Sequence, residues 1–219
     1  DLIGGDTSSS KQGLVISVTS IGHAAAEDIC YRNGAEEGDL LCVSGDLGGA
    51  YVGLQILERE KQIFLENPQL QPDLEGKDYI IERQLKPEGR RDIVDLLAQM
   101  KIKPTSMIDV SDGLASEILH ICTQSDKGCT LYEEKIPIDP MTYETARELG
   151  LDPTVCALNG GEDYELLFTI KQADYAKLKN DVDISIIGHI TEKNSGCNMI
   201  SKSNVSHELK AQGWNAFKG

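Results

Sequence analysis

Ser106-Met107-Ile108-Asp109-Val110-Ser111-Asp112-Gly113, running directly into Leu114 to Cys122, decides the fold class. Ser106 to Val110 reads as a strand, Ser111-Asp112-Gly113 as a turn, and Leu114 to Cys122 as a helix that Ser111 or Asp112 is suited to cap. The same order occurs upstream. Leu40 to Gly45 is a short apolar strand, Asp46-Leu47-Gly48-Gly49 a turn, and Ala50 to Leu57 carries apolar residues at helical spacing. A strand, a glycine turn and a helix together offer backbone N–H groups to a phosphate.

Outward from these units the pattern keeps alternating. Leu14 to Ile21 is rich in β-branched residues and predicts a strand. Glu58 to Pro87 is charged and helix-like, interrupted by Pro68 and Pro72. Ile93 to Met100 predicts an amphipathic helix, Cys129 to Ile136 a strand, and Tyr143 to Leu149 a helix. Gly160 to Glu165 opens the strand Leu166 to Ile170, and the helix Asp174 to Lys179 leads to the strand Ile184 to Gly188. Strands alternating with helices give a mixed α/β (α+β) class.

Composition narrows the function. The 219 residues hold 21 Lys+Arg against 36 Asp+Glu, a formal net charge of -15. Phosphate backbones repel so acidic a surface, and aromatics are only 5%, so no nucleic-acid partner is expected. Anionic nucleotides remain accessible if Mg²⁺ stands between carboxylate and phosphate. No run approaches the ~18 apolar residues of a membrane-spanning helix, so no membrane partner is expected. The six cysteines are scattered without a C-x-x-C, unlike a zinc ribbon or a disulfide scaffold, and read as reduced thiols of a cytoplasmic protein. No Walker A motif occurs, which excludes a P-loop kinase.

Three acidic motifs share one design, a carboxylate beside glycine next to an apolar strand. They are Gly4-Gly5-Asp6, Asp109-Val110-Ser111-Asp112-Gly113 and Gly160-Gly161-Glu162-Asp163. Such carboxylates suit a hard divalent cation, and Asp109 and Asp112, three residues apart across a turn, can face one group of ions. Each motif also has an ordinary structural reading, because Asp before Gly is common turn chemistry and Ser-Asp before a helix a common cap. Arg32 suits a phosphate or a surface ion pair, and Trp214 a stacked ring or core packing.

These motifs, with Arg32-x-Gly34-Ala35-x-x-Gly38-Asp39 and Gly213-Trp214-x-x-Phe217, resemble the thiamine-monophosphate kinase family. That family shares a fold with aminoimidazole ribonucleotide synthetase, selenophosphate synthetase and a hydrogenase-maturation protein. The resemblance covers nearly the whole chain. It implies ATP-dependent phosphorylation of thiamine monophosphate to thiamine diphosphate by in-line transfer, in a cytoplasmic homodimer, with Mg²⁺ and ATP. Carried over position by position, it implies ATP contacts at Gly5, Asp6, Arg32 and Ser111, and Mg²⁺ ligands at Asp6, Asp109 and Asp112. It implies substrate contacts at Glu162 and Trp214, and no residue acting as a nucleophile. The alternatives are another ATP-dependent enzyme of the superfamily, such as an aminoimidazole ribonucleotide synthetase-like ligase, or a non-catalytic fragment.

Two departures qualify the resemblance. Gly49 stands where the family usually has Asp. The family's N-terminal half, with further metal-binding motifs and the dimer interface, is not represented. Residues 1–28 are therefore expected to be a remnant of an N-terminal ATP- and Mg²⁺-binding domain, and residues 29–219 a C-terminal α/β domain. The isolated chain is expected to be inactive.

Overall fold

The computed structural model describes residues 3–7, 9, 13–179 and 181–212. Seven strands form one sheet: β1 Leu40–Ser44, β2 Ser106–Asp109, β3 Gly128–Tyr132, β4 Leu166–Ile170, β5 Ile184–Thr191, β6 Cys197–Ile200 and β7 Ser206–Glu208. Their order is β2-β4-β1-β5-β3-β6-β7. Every neighbouring pair is antiparallel except β3 and β6, which run parallel with Cys129 opposite Cys197. The helices are α1 Gly49–Glu66, α2 Asp78–Leu85, α3 Arg91–Gln99, α4 Leu114–Ser125, α5 Pro140–Glu148, α6 Pro153–Asn159 and α7 Tyr175–Leu178. The mixed α/β class read from the sequence is the class observed.

Strand alternation sorts the core into two faces. Leu41, Val43 and Leu167 point to one face and pack with Leu114, Ile118 and Ile121 of α4. Cys42, Phe168 and Ile170 point to the other, under Ile93 and Leu97 of α3. Val52, Ile56, Ile80, Ala146 and Cys156 join α1, α2, α5 and α6. Burying both faces of the sheet supplies most of the stabilisation, at ~25 cal/mol per Å² of apolar surface. Among the described residues, no helix is long and apolar enough to cross a membrane.

Most expected elements form, with shifted ends. α1 runs through Glu66 and stops at Asn67, since the residue before a proline disfavours helical backbone. The expected strand Cys129 to Ile136 ends at Tyr132, where a 3₁₀ turn over Glu133–Lys135 takes over. Leu14 to Ile21 corrects the sequence reading outright. It forms no strand, and its large apolar side chains are 75–88% exposed. A β-branched run needs a neighbouring strand to pair with, and this one has none among the described residues.

Candidate functional site

Two loops build the site at one end of β2 and β4. Asp109 pairs with Leu166 in the β2–β4 ladder, and backbone bonds carry the pairing past the strand ends. Val110 N donates to Glu165 O at 2.8 Å, Tyr164 N to Val110 O at 2.9 Å, and Glu162 N to Ser111 O at 2.8 Å. Gly161 has φ +71°, and a Cβ there would lie 2.4 Å from Ser111 O. Only glycine allows the two loops to close this tightly.

Glu162 and Tyr164 have φ of 62° and 52°, a region that non-glycine residues rarely enter. The strain of two such residues is sustained by the surrounding bonds and is typical of functional loops. The Tyr164 hydroxyl donates to Glu162 Oε2 at 3.1 Å. Its pKa is raised by loss of solvent, then by the charges of Glu162, Asp109 and Asp112. Those three carboxylates are exposed, and Glu162 alone of them bonds the phenol. Glu117 lies behind them. Burial pushes its carboxyl up, and the charges of Asp112 and Asp109 add to that, while the Asp112 N–H, the largest opposing influence, and His120 pull it down.

The expected cap on α4 is absent. Gly113 occupies the cap position and no side chain caps there. Instead Glu117 Oε1 accepts from Asp112 N at 3.1 Å, reaching back from the first turn. This leaves the carboxylates of Asp109 and Asp112 free of any hydrogen bond among the described residues. Exposed carboxylates beside a strand end have the donor chemistry for Mg²⁺, although among the described residues no three carboxylates bring oxygens within 4.8 Å of one another.

Arg32 reaches the same place along another route. Met107 N donates to Tyr31 O at 2.9 Å, which lays the segment containing Arg32 beside β2. An open groove of about 590 Å³ is lined by Arg32, Asn33, Met107, Asp109 and Gln124, among others. Gly5 and Asp6 do not line it. Both are exposed, and Asp6 Oδ1 accepts from Thr7 N at 2.9 Å. Trp214 lies outside the described residues.

Sequence reasoning missed the second layer. Side chains alternate along Glu162-Asp163-Tyr164-Glu165, so Asp163 and Glu165 point inward. Asp163 Oδ2 accepts from Gly48 N at 2.8 Å and Oδ1 from Ala50 N at 3.3 Å, capping α1 from a distant loop. Burial pushes its carboxyl up to about 7, against the pull of those N–H groups and of Arg83. Glu165, 1% exposed, pairs with Arg83 at 2.9 Å and Arg90 at 2.5 Å, and accepts from Ser44 Oγ. The alternation of these four residues into β4 was the available signal.

A further polar cluster surrounds Gly49. Asp46 accepts from the Tyr79 hydroxyl, and Arg83 donates to Asp46 O at 2.9 Å. Burial raises the Asp46 pKa, with Tyr79 opposing. Asp46 Oδ1, Arg83 Nε, Gln84 Oε1 and Thr142 Oγ1 are buried without a partner among the described residues. A Cβ at Gly49 would already lie 3.3 Å from Arg83 Cγ and Thr142 Oγ1, so an Asp here would crowd both.

Known proteins resemble this chain in sequence and fold. The chain is 34% identical to the thiamine-monophosphate kinase of Bacillus subtilis, over 100% of this chain and 65% of that protein. It is 31% identical to that of Pyrococcus abyssi, over 100% and 62%. The chain thus spans somewhat less than two thirds of these relatives. No family model matches it. Among solved structures, AaThiL complexed with AMPPCP and TMP is 28% identical with a TM-score of 0.67, over 86% of this chain and 54% of that one. The hydrogenase maturation protein HypE of E. coli, 19% identical with a TM-score of 0.58 over 87% and 55%, shares the fold. The chain is a relative, along its whole length, of the thiamine-monophosphate kinases, and its fold is of the aminoimidazole ribonucleotide synthetase type.

Proposed function

We propose that this protein takes part in transferring the terminal phosphoryl group of ATP to the phosphate of thiamine monophosphate, giving thiamine diphosphate. The observation that carries this reading is the meeting of Arg32 and Asp109 in one groove. Phosphoryl transfer asks a protein chiefly for positioning and charge neutralisation. The similarity to curated kinases and to a structure holding AMPPCP and TMP supports the choice of substrates.

In this reading Asp109 and Asp112, with Asp6, hold Mg²⁺, which neutralises charge on the transferring phosphate. Arg32, Ser111 and Gly5 hold the nucleotide, the guanidinium by its planar fork of donors. Glu162 accepts from the aminopyrimidine edge of the substrate and Trp214 stacks on its ring. No side chain acts as a nucleophile, since the acceptor phosphate oxygen is already anionic. Residues 1–28 belong with the nucleotide-binding part and the chain from residue 29 forms the α/β domain. The six free cysteines support a cytoplasmic setting, and the exposed apolar run Leu14 to Ile21 offers a surface to the second subunit of a homodimer.

The test is a direct assay of the full-length protein, since the isolated chain is expected to be inactive, with thiamine monophosphate, ATP and Mg²⁺, following thiamine diphosphate by chromatography. Formation of thiamine diphosphate is the expected result. Consumption of an aminoimidazole precursor with thiamine monophosphate untouched overturns the reading.

A further inference from the structure

We propose that Cys122, Cys129 and Cys197 form a three-thiolate site for a soft d¹⁰ metal ion, copper(I), separate from the carboxylate groove. Their sulfur atoms all lie within 4.8 Å of one another. Three sulfurs around one metal at a bond length of about 2.3 Å stand about 4 Å apart in a trigonal array. The observed spacing therefore needs only a small inward movement to close on an ion.

The cluster is assembled from three separate segments. Cys129 and Cys197 are register partners in the parallel pair β3–β6, so their side chains share one face of the sheet. The approach of these segments depends on Gly128, where a Cβ would meet Gly196 O at 2.4 Å. Cys129 N then donates to Gly196 O at 3.0 Å. Cys122 comes down onto this face from the last turns of α4. The carboxylates of Asp109 and Asp112 lie before the first turn of that helix, so about 12 Å of helix separates the two places. Cys30, Cys42 and Cys156 take no part.

The donor set selects the ion. Thiolates favour copper(I) and zinc among the common metals. Zinc in a structural site takes four ligands, and no His, Asp or Glu among the described residues joins these three cysteines. Copper(I) is satisfied by three sulfurs. Cys122 and Cys129 are buried within the apolar core cluster, which shields the ion from water, while Cys197 is half-buried and gives an entry path.

The test is competition for copper(I) presented as its bicinchoninate complex, under reducing, oxygen-free conditions, read from the loss of the complex's colour. Transfer of one equivalent to the protein is expected, with three sulfur neighbours in copper-edge X-ray absorption. Cys197→Ser, at the half-buried position, is expected to keep the fold and bind at least about tenfold more weakly, since losing even an outer-shell partner costs that much. Cys156→Ser is expected to bind as the unaltered protein does. No copper transfer, unchanged transfer in Cys197→Ser, two sulfur neighbours, or zinc bound in preference to copper(I) would each overturn the proposal. Should Cys197→Ser fail to fold, the unaltered protein decides: one equivalent of copper(I) is expected to raise its Tm, and an unchanged Tm counts against the site.

Discussion

Gly161 lies against the carbonyl of Ser111 so closely that a single added carbon would stand 2.4 Å from that oxygen. The contact joins the loop bearing Asp109 and Asp112 to the loop bearing Glu162 and Tyr164. Gly161→Ala introduces both this clash and a φ of +71° that alanine resists. A left-handed non-glycine residue costs about 1–2 kcal/mol before any clash. Lower Tm and a large loss of thiamine monophosphate phosphorylation are expected together, measured by calorimetry and by product formation.

Asp112→Asn separates metal binding from structure. No side-chain cap depends on Asp112, since Glu117 reaches its backbone N–H instead. The substitution is expected to leave Tm unchanged and to reduce turnover by a large factor, because charge neutralisation by a bound metal is worth several kcal/mol. Full activity with unchanged Tm removes the metal role. Asp109→Asn is expected to behave alike.

Glu165→Gln attacks stability instead. One buried carboxylate serves two guanidinium groups, those of Arg83 and Arg90, at 19% and 16% side-chain exposure. Removing the shared anion leaves Arg90 with Asp92 at 2.8 Å and Arg83 with Asp46 O at 2.9 Å, so the cost is expected to stay below the about 3–5 kcal/mol of a buried charge left with no partner. Urea unfolding is expected to show this loss.

Asp163 sets a pH dependence. Its carboxyl titrates at about 7 in the folded protein against an ordinary value of 3.8. The folded state keeps the proton where the unfolded chain has released it. The stability this residue lends is therefore complete below pH 3.8 and disappears as pH rises to about 7. Asn at this position cannot titrate. The Tm of the unaltered protein relative to Asp163→Asn is expected to fall across that interval; a flat difference contradicts the assignment.

The strand–turn–helix around Asp109 was legible because apolar alternation, a glycine turn and helical spacing follow one another without interruption. Leu14 to Ile21 has the composition of a strand, but strand formation depends on a neighbour that composition does not supply. α6 is too short for helical spacing to show, although Asp152 and Pro153 carry the usual start signal, an accepting side chain followed by proline at the first helical position. β6 and β7 are short and polar enough to read as loop. Among the site residues named from the sequence, Arg32 and Asp109 line one groove, and Gly5 and Asp6 do not line it. The approach of Cys197 to Cys122 and Cys129 comes from a parallel pairing that no local spacing encodes.

The outward and inward alternation of Glu162, Asp163, Tyr164 and Glu165 gives a deep mutational scan of this loop a parity. Substitutions at the even positions leave protein abundance intact and erode turnover. Those at the odd positions deplete the protein itself, since they loosen the start of α1 or remove the buried carboxylate that two guanidinium groups share. Chaperone overproduction or lower growth temperature would then rescue one set and leave the other untouched.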